Sequence, residues 1–596
     1  MLCFYLEHGR DSIYTTCRYA GMPPQAHVTG KTGDSPVNAP TTLIDWTTPV
    51  PRSPSCDHDK NSAADPTPAD RTSDIPKLDP TVANDPGTFT ATNPATAAAE
   101  DAAVRAHQQD HSGRNNRVIW LLILATFVVF LNETIMSVAI PRLVTDLHID
   151  LSAAQWLTAA FMLTMAVIIP VTGFLLQRLP TRPVFILAMS LFSVGTLLAA
   201  LAPGFEVLLT ARIVQASGTA IMMPLMMMTI MTLVAPAHRG QMMGRVSIVI
   251  SVAPAIGPTL GGLILTQLSW RFMFWLVFPI AIIMLLAGMK WVANVSETRS
   301  TPLDPLSVVL SALGFGGLVY GLSLIGESVG DSSGDRTPMI VSLTIGVISI
   351  LIFVLRQIRL QRHDRALLDL RTFRSRNFSL SVGLMVLMMV ALFGTVILLP
   401  IYIQNVLGLS ALDSGLLTLP GGLAMGLLSP IVGRLFDQFG PRRLLLPGSI
   451  VVSAALWYFA TLTENTSPWL ILVAHLILSL GLALILTPLF TSALGSVEPR
   501  LYSHGSAIVG ALDQLAGAAG TALFIAVVTA RSAEIVKTGS TVLAAEAGGI
   551  RAAFTVGAII SLAAIIGSFL VRKPAEPDAD SAPVRTGGNV RTGCCR

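Results

Sequence analysis

Gly173-Phe-Leu-Leu-Gln-Arg-Leu-Pro-Thr-Arg182 and Gly433-Arg-Leu-Phe-Asp-Gln-Phe-Gly-Pro-Arg442 are two copies of one pattern, Gly-x-Leu-x-(Gln/Asp)-x-x-(Pro/Gly)-x-Arg. Each closes one apolar run and precedes the next, so each reads as a tight turn between two helices. The copies stand 260 residues apart (433 − 173). Working outward from them, fourteen apolar runs lie between residues 118 and 571. Each is about 17 to 26 residues long, the length that crosses a hydrocarbon core of roughly 30 Å. Continuous apolar runs exclude a membrane barrel, which leaves helices as the only way to satisfy the backbone in lipid. The body from 117 to 572 allots roughly 32 residues to each helix with its loop. The repeat offset then equals eight helices, which two six-helix halves with an inserted pair would give. The expected fold is an all-α membrane protein with 14 transmembrane helices. Its segments are an unstructured extension over 1–116, a first half over 117–293, an inserted pair with an Arg-rich loop over 294–377, a second half over 378–572, and a tail over 573–596.

Composition agrees. Of 596 residues 52% are hydrophobic and 12% charged, with a mean hydropathy of +0.65. Soluble domains carry roughly 25% charge, so neither a water-soluble fold nor a disordered chain fits. A net charge of +4, with basic residues beside apolar runs instead of in a stripe, argues against nucleic acid as a partner. All five cysteines (Cys3, Cys17, Cys56, Cys594, Cys595) lie in the tails, so the membrane body has no thiolate metal site or cysteine nucleophile. There is no P-loop, nucleophile elbow or metal-ligand spacing. The chain reads as no enzyme, with no cofactor, and energised by an ion gradient. Arg and Lys near the helix ends favour one side by 22 to 6, which places both termini in the cytoplasm.

Four segments together resemble the major facilitator superfamily, specifically its fourteen-helix drug:proton antiporter branch. They are Leu131-Asn-Glu-Thr-Ile-Met-Ser-Val-Ala-Ile-Pro141 in helix 1, the paired turn quoted above, Arg212-Ile-Val-Gln-Ala-Ser-Gly218 in helix 4, and Gly244 followed at eight residues' distance by Ala253-Pro-Ala-Ile-Gly-Pro-Thr-Leu-Gly-Gly262 in helix 5. The helix-1 wording is similar to that of lincomycin and multidrug exporters. The resemblance implies a proton-driven multidrug efflux transporter of a bacterial cell membrane, exporting amphipathic drugs, lincosamides among them, by alternating access. It implies small-molecule drugs and protons as partners, a surrounding lipid bilayer, and a working monomer. A dedicated exporter of an endogenous metabolite or self-made antibiotic, and a transport-inactive sensor or scaffold, stay open as other readings. The family pattern is not fully kept: Gln177 and Pro180 stand where it has Asp and Gly, Asn132 precedes a displaced carboxylate at Glu133, and Ala253 replaces a Gly.

Glu133 lies about 12 Å inside the outer end of helix 1 at 1.5 Å per residue. Holding charge at that depth costs on the order of a few kcal/mol, so the carboxyl is either poised to exchange a proton or a hydrogen-bonded packing group beside Asn132. Arg212 must face a cavity or a carboxylate. The resemblance gives it a part in proton coupling; a structural salt bridge is the alternative. Gln215 shares its face by i, i+3 spacing. Asp513 is a second candidate protonatable or substrate-facing group, and His475 reads mainly as packing. In the antiporter motif (Gly244, Ala253, Pro254, Gly257, Pro258, Gly261, Gly262) the small residues admit a neighbouring backbone and the prolines bend the helix. The cytoplasmic turns supply candidate gating residues: Gly173, Gln177, Arg178 and Arg182 in the first, Gly433, Asp437, Gly440 and Arg442 in the second. Asp437 is expected to latch with Arg442 and Arg443. The Met-rich stretch Met222–Met231 reads as core, with an adaptable drug-facing wall as the alternative.

Overall fold

The computed structural model describes residues 94–136, 139–149, 151–295, 302–330 and 336–572. The expected tails over 1–93 and 573–596 fall outside the described residues. Fifteen α-helices are present among those described: α1 Pro94–Ile135, α2 Ile140–Leu147, α3 Leu151–Arg178, α4 Thr181–Ala200, α5 Phe205–Leu233, α6 Arg239–Gln267, α7 Arg271–Trp291, α8 Pro305–Gly330, α9 Thr337–Leu360, α10 Arg376–Ile401, α11 Ala411–Phe439, α12 Arg442–Phe459, α13 Pro468–Gly495, α14 Tyr502–Lys537 and α15 Val542–Ser568. No β-strand occurs among the described residues.

Among the described residues thirteen spans are long and apolar enough to cross a membrane, one fewer than the sequence suggests. The difference is α12, in the eleventh expected position. It has 18 residues and opens on Arg442-Arg443, which dilute its apolar run, and it packs between α13 and α15. Other boundaries also move. α1 starts at Pro94, inside the segment expected to lack structure up to 116, because that stretch is rich in the strong helix former Ala. The loop expected over 531–551 is largely helical. α14 runs on to Lys537, and α15 starts at Val542 behind Thr541, whose side chain accepts from the Ala544 amide at 3.2 Å. The short α2 has no counterpart among the apolar runs.

The side of the membrane on which α1 enters is called the near side below. It also holds both copies of the repeated turn. α1 and α3–α7 interlock as one group, α10–α15 as another. The groups meet along two seams, α6 on α11 and α14 on α3 and α5. α8 and α9 pack on each other, and α8 also touches α3 and α14. Such pairwise burial, with no water to drive it, relies on close packing and interhelical hydrogen bonds.

A near-side network fastens the inserted pair. Arg356 of α9 donates through Nε to Asp304 at 2.6 Å and through Nη2 at 2.8 Å. Gln357, fully buried, donates to Ser307 and accepts from the Leu367 and Leu368 amides. The bidentate guanidinium holds the Asp304 carboxyl down, at about 2 against the usual 3.8. A depressed carboxyl contributes stability above its unfolded value that is lost as pH falls toward its folded one. Asp304→Asn should therefore loosen the near-side end of α8 and α9 by about 1 kcal/mol at pH 7, given the pair's partial exposure. The difference should shrink from about pH 4 downward, and variant and wild type should converge below about pH 2. Hydrogen exchange of the 356–368 amides reads this out, and equal protection at pH 7 would refute it.

Candidate functional site

Three ionisable side chains from three helices come together within the membrane span. α1 carries Glu133, α5 carries Arg212 and α14 carries Asp513. Glu133 lies in the field of both Arg212 and Asp513, and its own charge acts on Arg212. The trio therefore straddles the meeting of the two helix groups: Glu133 and Arg212 come from one, Asp513 from the other.

Arg212 is 1% exposed. Its guanidinium lies 4.0 Å from the Phe161 ring centroid on α3, donates from Nη1 to Gln215 Oε1 at 2.7 Å, and reaches the Leu157 carbonyl at 3.4 Å. Gln215, also buried, donates on to Thr196 of α4 at 2.8 Å. One turn of helix thus supplies both members of a relay that ties α5 to α3 and α4. No carboxylate lies within ion-pair distance of Arg212 among the described residues. Its charge is met by a ring face, by dipoles and by the longer-range field of Glu133. Arg212→Lys keeps the charge but loses the planar fork and the ring stacking. It should cost about 1–2 kcal/mol, from one charged hydrogen bond and a buried cation–π contact. Thermal unfolding in detergent checks this, and an unchanged midpoint would sink it.

Opposite Arg212 the polar groups are less satisfied. Asn132 Oδ1, Glu133 Oε2 and Asp513 Oδ1 are each shut from solvent with no hydrogen-bond partner among the described residues. Leaving such a group unpaired costs about 1–3 kcal/mol, so three in one region need an explanation. A site that must take up protons or polar ligand atoms supplies one. His475 on α13 is partly buried beside Gly421 of α11, and its Nδ1 has no partner among the described residues. No electrostatic link joins it to the Glu133 trio. The Met222–Met231 stretch is buried in the main apolar cluster apart from the partly buried Met223, a core position.

The glycine- and proline-rich segment of α6 packs on α1 at Thr134 and Ile135, the residues that follow Glu133. α6 stays helical from Arg239 to Gln267 through Pro254 and Pro258. A Cβ at Gly257 would overlap Thr134 of α1, and one at Gly261 would stand 3.0 Å from the Ile135 carbonyl. Thr134 Oγ1 reaches the Ala253 carbonyl at 3.3 Å. Gly262 corrects the expectation of close approach at all three glycines, since nothing lies within 4 Å of its added Cβ. Its neighbour Gly261 already takes the face toward α1.

At the near side the two copies of the turn do unlike things. In the second, Asp437 accepts from the Gly240 and Gln241 amides, both at 2.8 Å. It thereby meets the exposed N–H groups and positive dipole end of α6. This corrects the expected latch: Arg442 lies over the Phe569 ring and Arg443 over Phe439. Gly440 ends α11 at φ 76°, a left-handed value that favours glycine. A Cβ on Gly433 would overlap the Gly240 carbonyl, and one on Gly244 would overlap the Ser429 carbonyl, so α6 and α11 touch backbone to backbone. In the first turn, Gln177 pairs with His504 of α14 at 2.7 Å, while Gly173 abuts Ala507. Arg178 lies over Phe174, and Arg182 bonds the Met289 carbonyl and Asn294 beyond α7. Sequence reasoning missed His504. No local signal pointed to it, since it stands 327 residues from Gln177 along the chain.

A family model described as the Major Facilitator Superfamily matches residues 122–521. A Bacillus subtilis protein named "Uncharacterized MFS-type transporter YcnB" is 41% identical over 468 residues, 78% of this chain and 97% of that protein. The "Lincomycin resistance protein LmrB" of Listeria monocytogenes is 39% identical over 76% of this chain and 96% of its own length. Among solved structures, the human organic anion transporter MFSD10 superposes with a TM-score of 0.55 at 16% identity, covering 76% of this chain and 99% of that one.

Proposed function

The chain belongs to the major facilitator superfamily of multi-pass membrane transporters for small molecules, and on that premise we propose that it exports amphipathic drugs from the bacterial cell in exchange for protons. The observation that carries the reading is the trio of Glu133, Arg212 and Asp513 at the meeting of the two helix groups, with Glu133 in the field of both others. With Glu133 ionised, the carboxylate attracts a cationic drug and is balanced by Arg212. With Glu133 protonated, the attraction is gone and the drug leaves. Binding of proton and drug thus exclude one another, which is what exchange requires. The first helix group rocks against the second, with α8 and α9 riding beside them, as paired halves do in many transporters. The antiporter motif holds α6 tight against α1 next to the carboxyl and so limits proton leak. Both termini face the cytoplasm by the excess of near-side arginines. Lincosamides are the first substrates to try, because a relative of high coverage is named for lincomycin resistance.

The test is transport in proteoliposomes under an imposed pH gradient, following a cationic dye and lincomycin. Dye or lincomycin movement that collapses with the gradient supports proton-driven export. No movement of either compound by the wild-type protein would refute drug export.

A further inference from the structure

Away from the Glu133 trio, a groove of about 650 Å³ opens between α1, α6 and α7 at their near-side ends. We propose that this groove is a binding site for one anionic phospholipid, held by its phosphate on Arg117 and Arg245. Both arginines line the groove, and neither has a carboxylate partner among the described residues. Arg245 sits two turns into α6 and meets only soft neighbours: its guanidinium lies 5.5 Å from the Trp120 ring centroid, and Nη1 is 4.0 Å from Met242 Sδ. Guanidinium groups match phosphate oxygens in a planar fork. A basic pocket between helices at the membrane edge suits an acidic headgroup.

The rest of the groove fits an acyl chain. Below the arginines its wall is Leu124, Phe127, Ile248, Val249 and Met284, with no charged side chain. Trp120 and Trp291 flank the mouth, about half exposed, at the level where tryptophan prefers the headgroup zone. Two unpaired cations over an apolar track match the polarity of a two-part ligand. A free phosphate would use only the arginines, and a zwitterionic lipid would bring its own headgroup cation against them. The groove lies within one helix group, so the site is independent of how export is energised.

The purified full-length chain in detergent would be titrated with palmitoyl-oleoyl phosphatidylglycerol, with phosphatidylcholine of the same chains, and with glycerol 3-phosphate. Intrinsic tryptophan fluorescence and the melting temperature are the readouts. Phosphatidylglycerol should bind at least tenfold more tightly than phosphatidylcholine, and glycerol 3-phosphate should not compete. The double variant Arg117→Gln/Arg245→Gln should lose the preference for phosphatidylglycerol. Ala287→Trp, which fills the track and spares both arginines, should weaken binding about tenfold. Arg359→Gln/Arg362→Gln, on the same side of the membrane, should behave as wild type. Retained preference in the first double variant, loss of it in the second, or equal binding of glycerol 3-phosphate would each overturn the proposal. So would wild-type binding by Ala287→Trp, which keeps the test decisive if the arginine variants misfold.

Discussion

Glu133→Gln is expected to abolish gradient-driven drug movement, by at least a hundredfold, while the protein still folds and inserts. Glutamine has nearly the size of glutamic acid and can hydrogen-bond, but it cannot exchange a proton or carry charge. At this position that difference is decisive. Oε2 is enclosed with no partner among the described residues, and the field of Arg212 reaches the carboxyl through low-dielectric surroundings. Charges separated this way interact far more strongly than in water. A hundredfold loss corresponds to about 2.7 kcal/mol, within reach of one buried charge interaction. Folding should survive, because Arg212 keeps the Phe161 ring face, Gln215 and the Leu157 carbonyl when Glu133 loses its charge. Asp513→Asn should reduce transport less, since Asp513 acts on Glu133 as a second like charge. Full transport by Glu133→Gln would move coupling to Asp513 or Arg212.

The second large effect concerns the near-side closure. Gly433→Val places a branched side chain where α11 and α6 touch backbone to backbone at Gly240. Neither backbone can yield as a flexible side chain would, and overpacking of this kind costs about 1–3 kcal/mol. The cost falls on the conformation with α6 against α11, so the population opened to the near side should rise roughly ten- to hundredfold. Cysteine labelling at Ser503 or Gln241 from the near side reports the shift. Gly383→Val is the control, because nothing lies within 4 Å of its added Cβ. Unchanged labelling in Gly433→Val would mean that this contact does not hold the closure.

Much of the architecture was legible before any coordinates, because a bilayer allows few solutions. Run length identified the helices, and the offset between the two turns located the inserted pair that packs as α8 on α9. Where composition and length conflicted, the reading failed. The arginines at the head of α12 lower its hydropathy, and the short Ala-rich segment 542–547, too short to read as a span and followed by Gly548-Gly549, forms helix by propensity and by the Thr541 cap. At the site, Arg212 and Gln215 were legible through helical spacing, since both lie on one turn. The partner of Asp437 was not. A carboxylate beside arginines in sequence suggests an ion pair, whereas the amides of α6 lie almost two hundred residues away. His504 was hidden for the same reason, 327 residues from Gln177.

The position of α8 has a consequence for how oily molecules reach the interior. By touching both α3 and α14, it lies across one of the two joins between the helix groups and screens it from the fatty acyl phase. Neither α8 nor α9 packs in this way on the other join, α6 on α11. A hydrophobic compound arriving from the lipid side at the screened join therefore meets α8 first, and the inserted pair makes the two joins unequal in their access from the membrane.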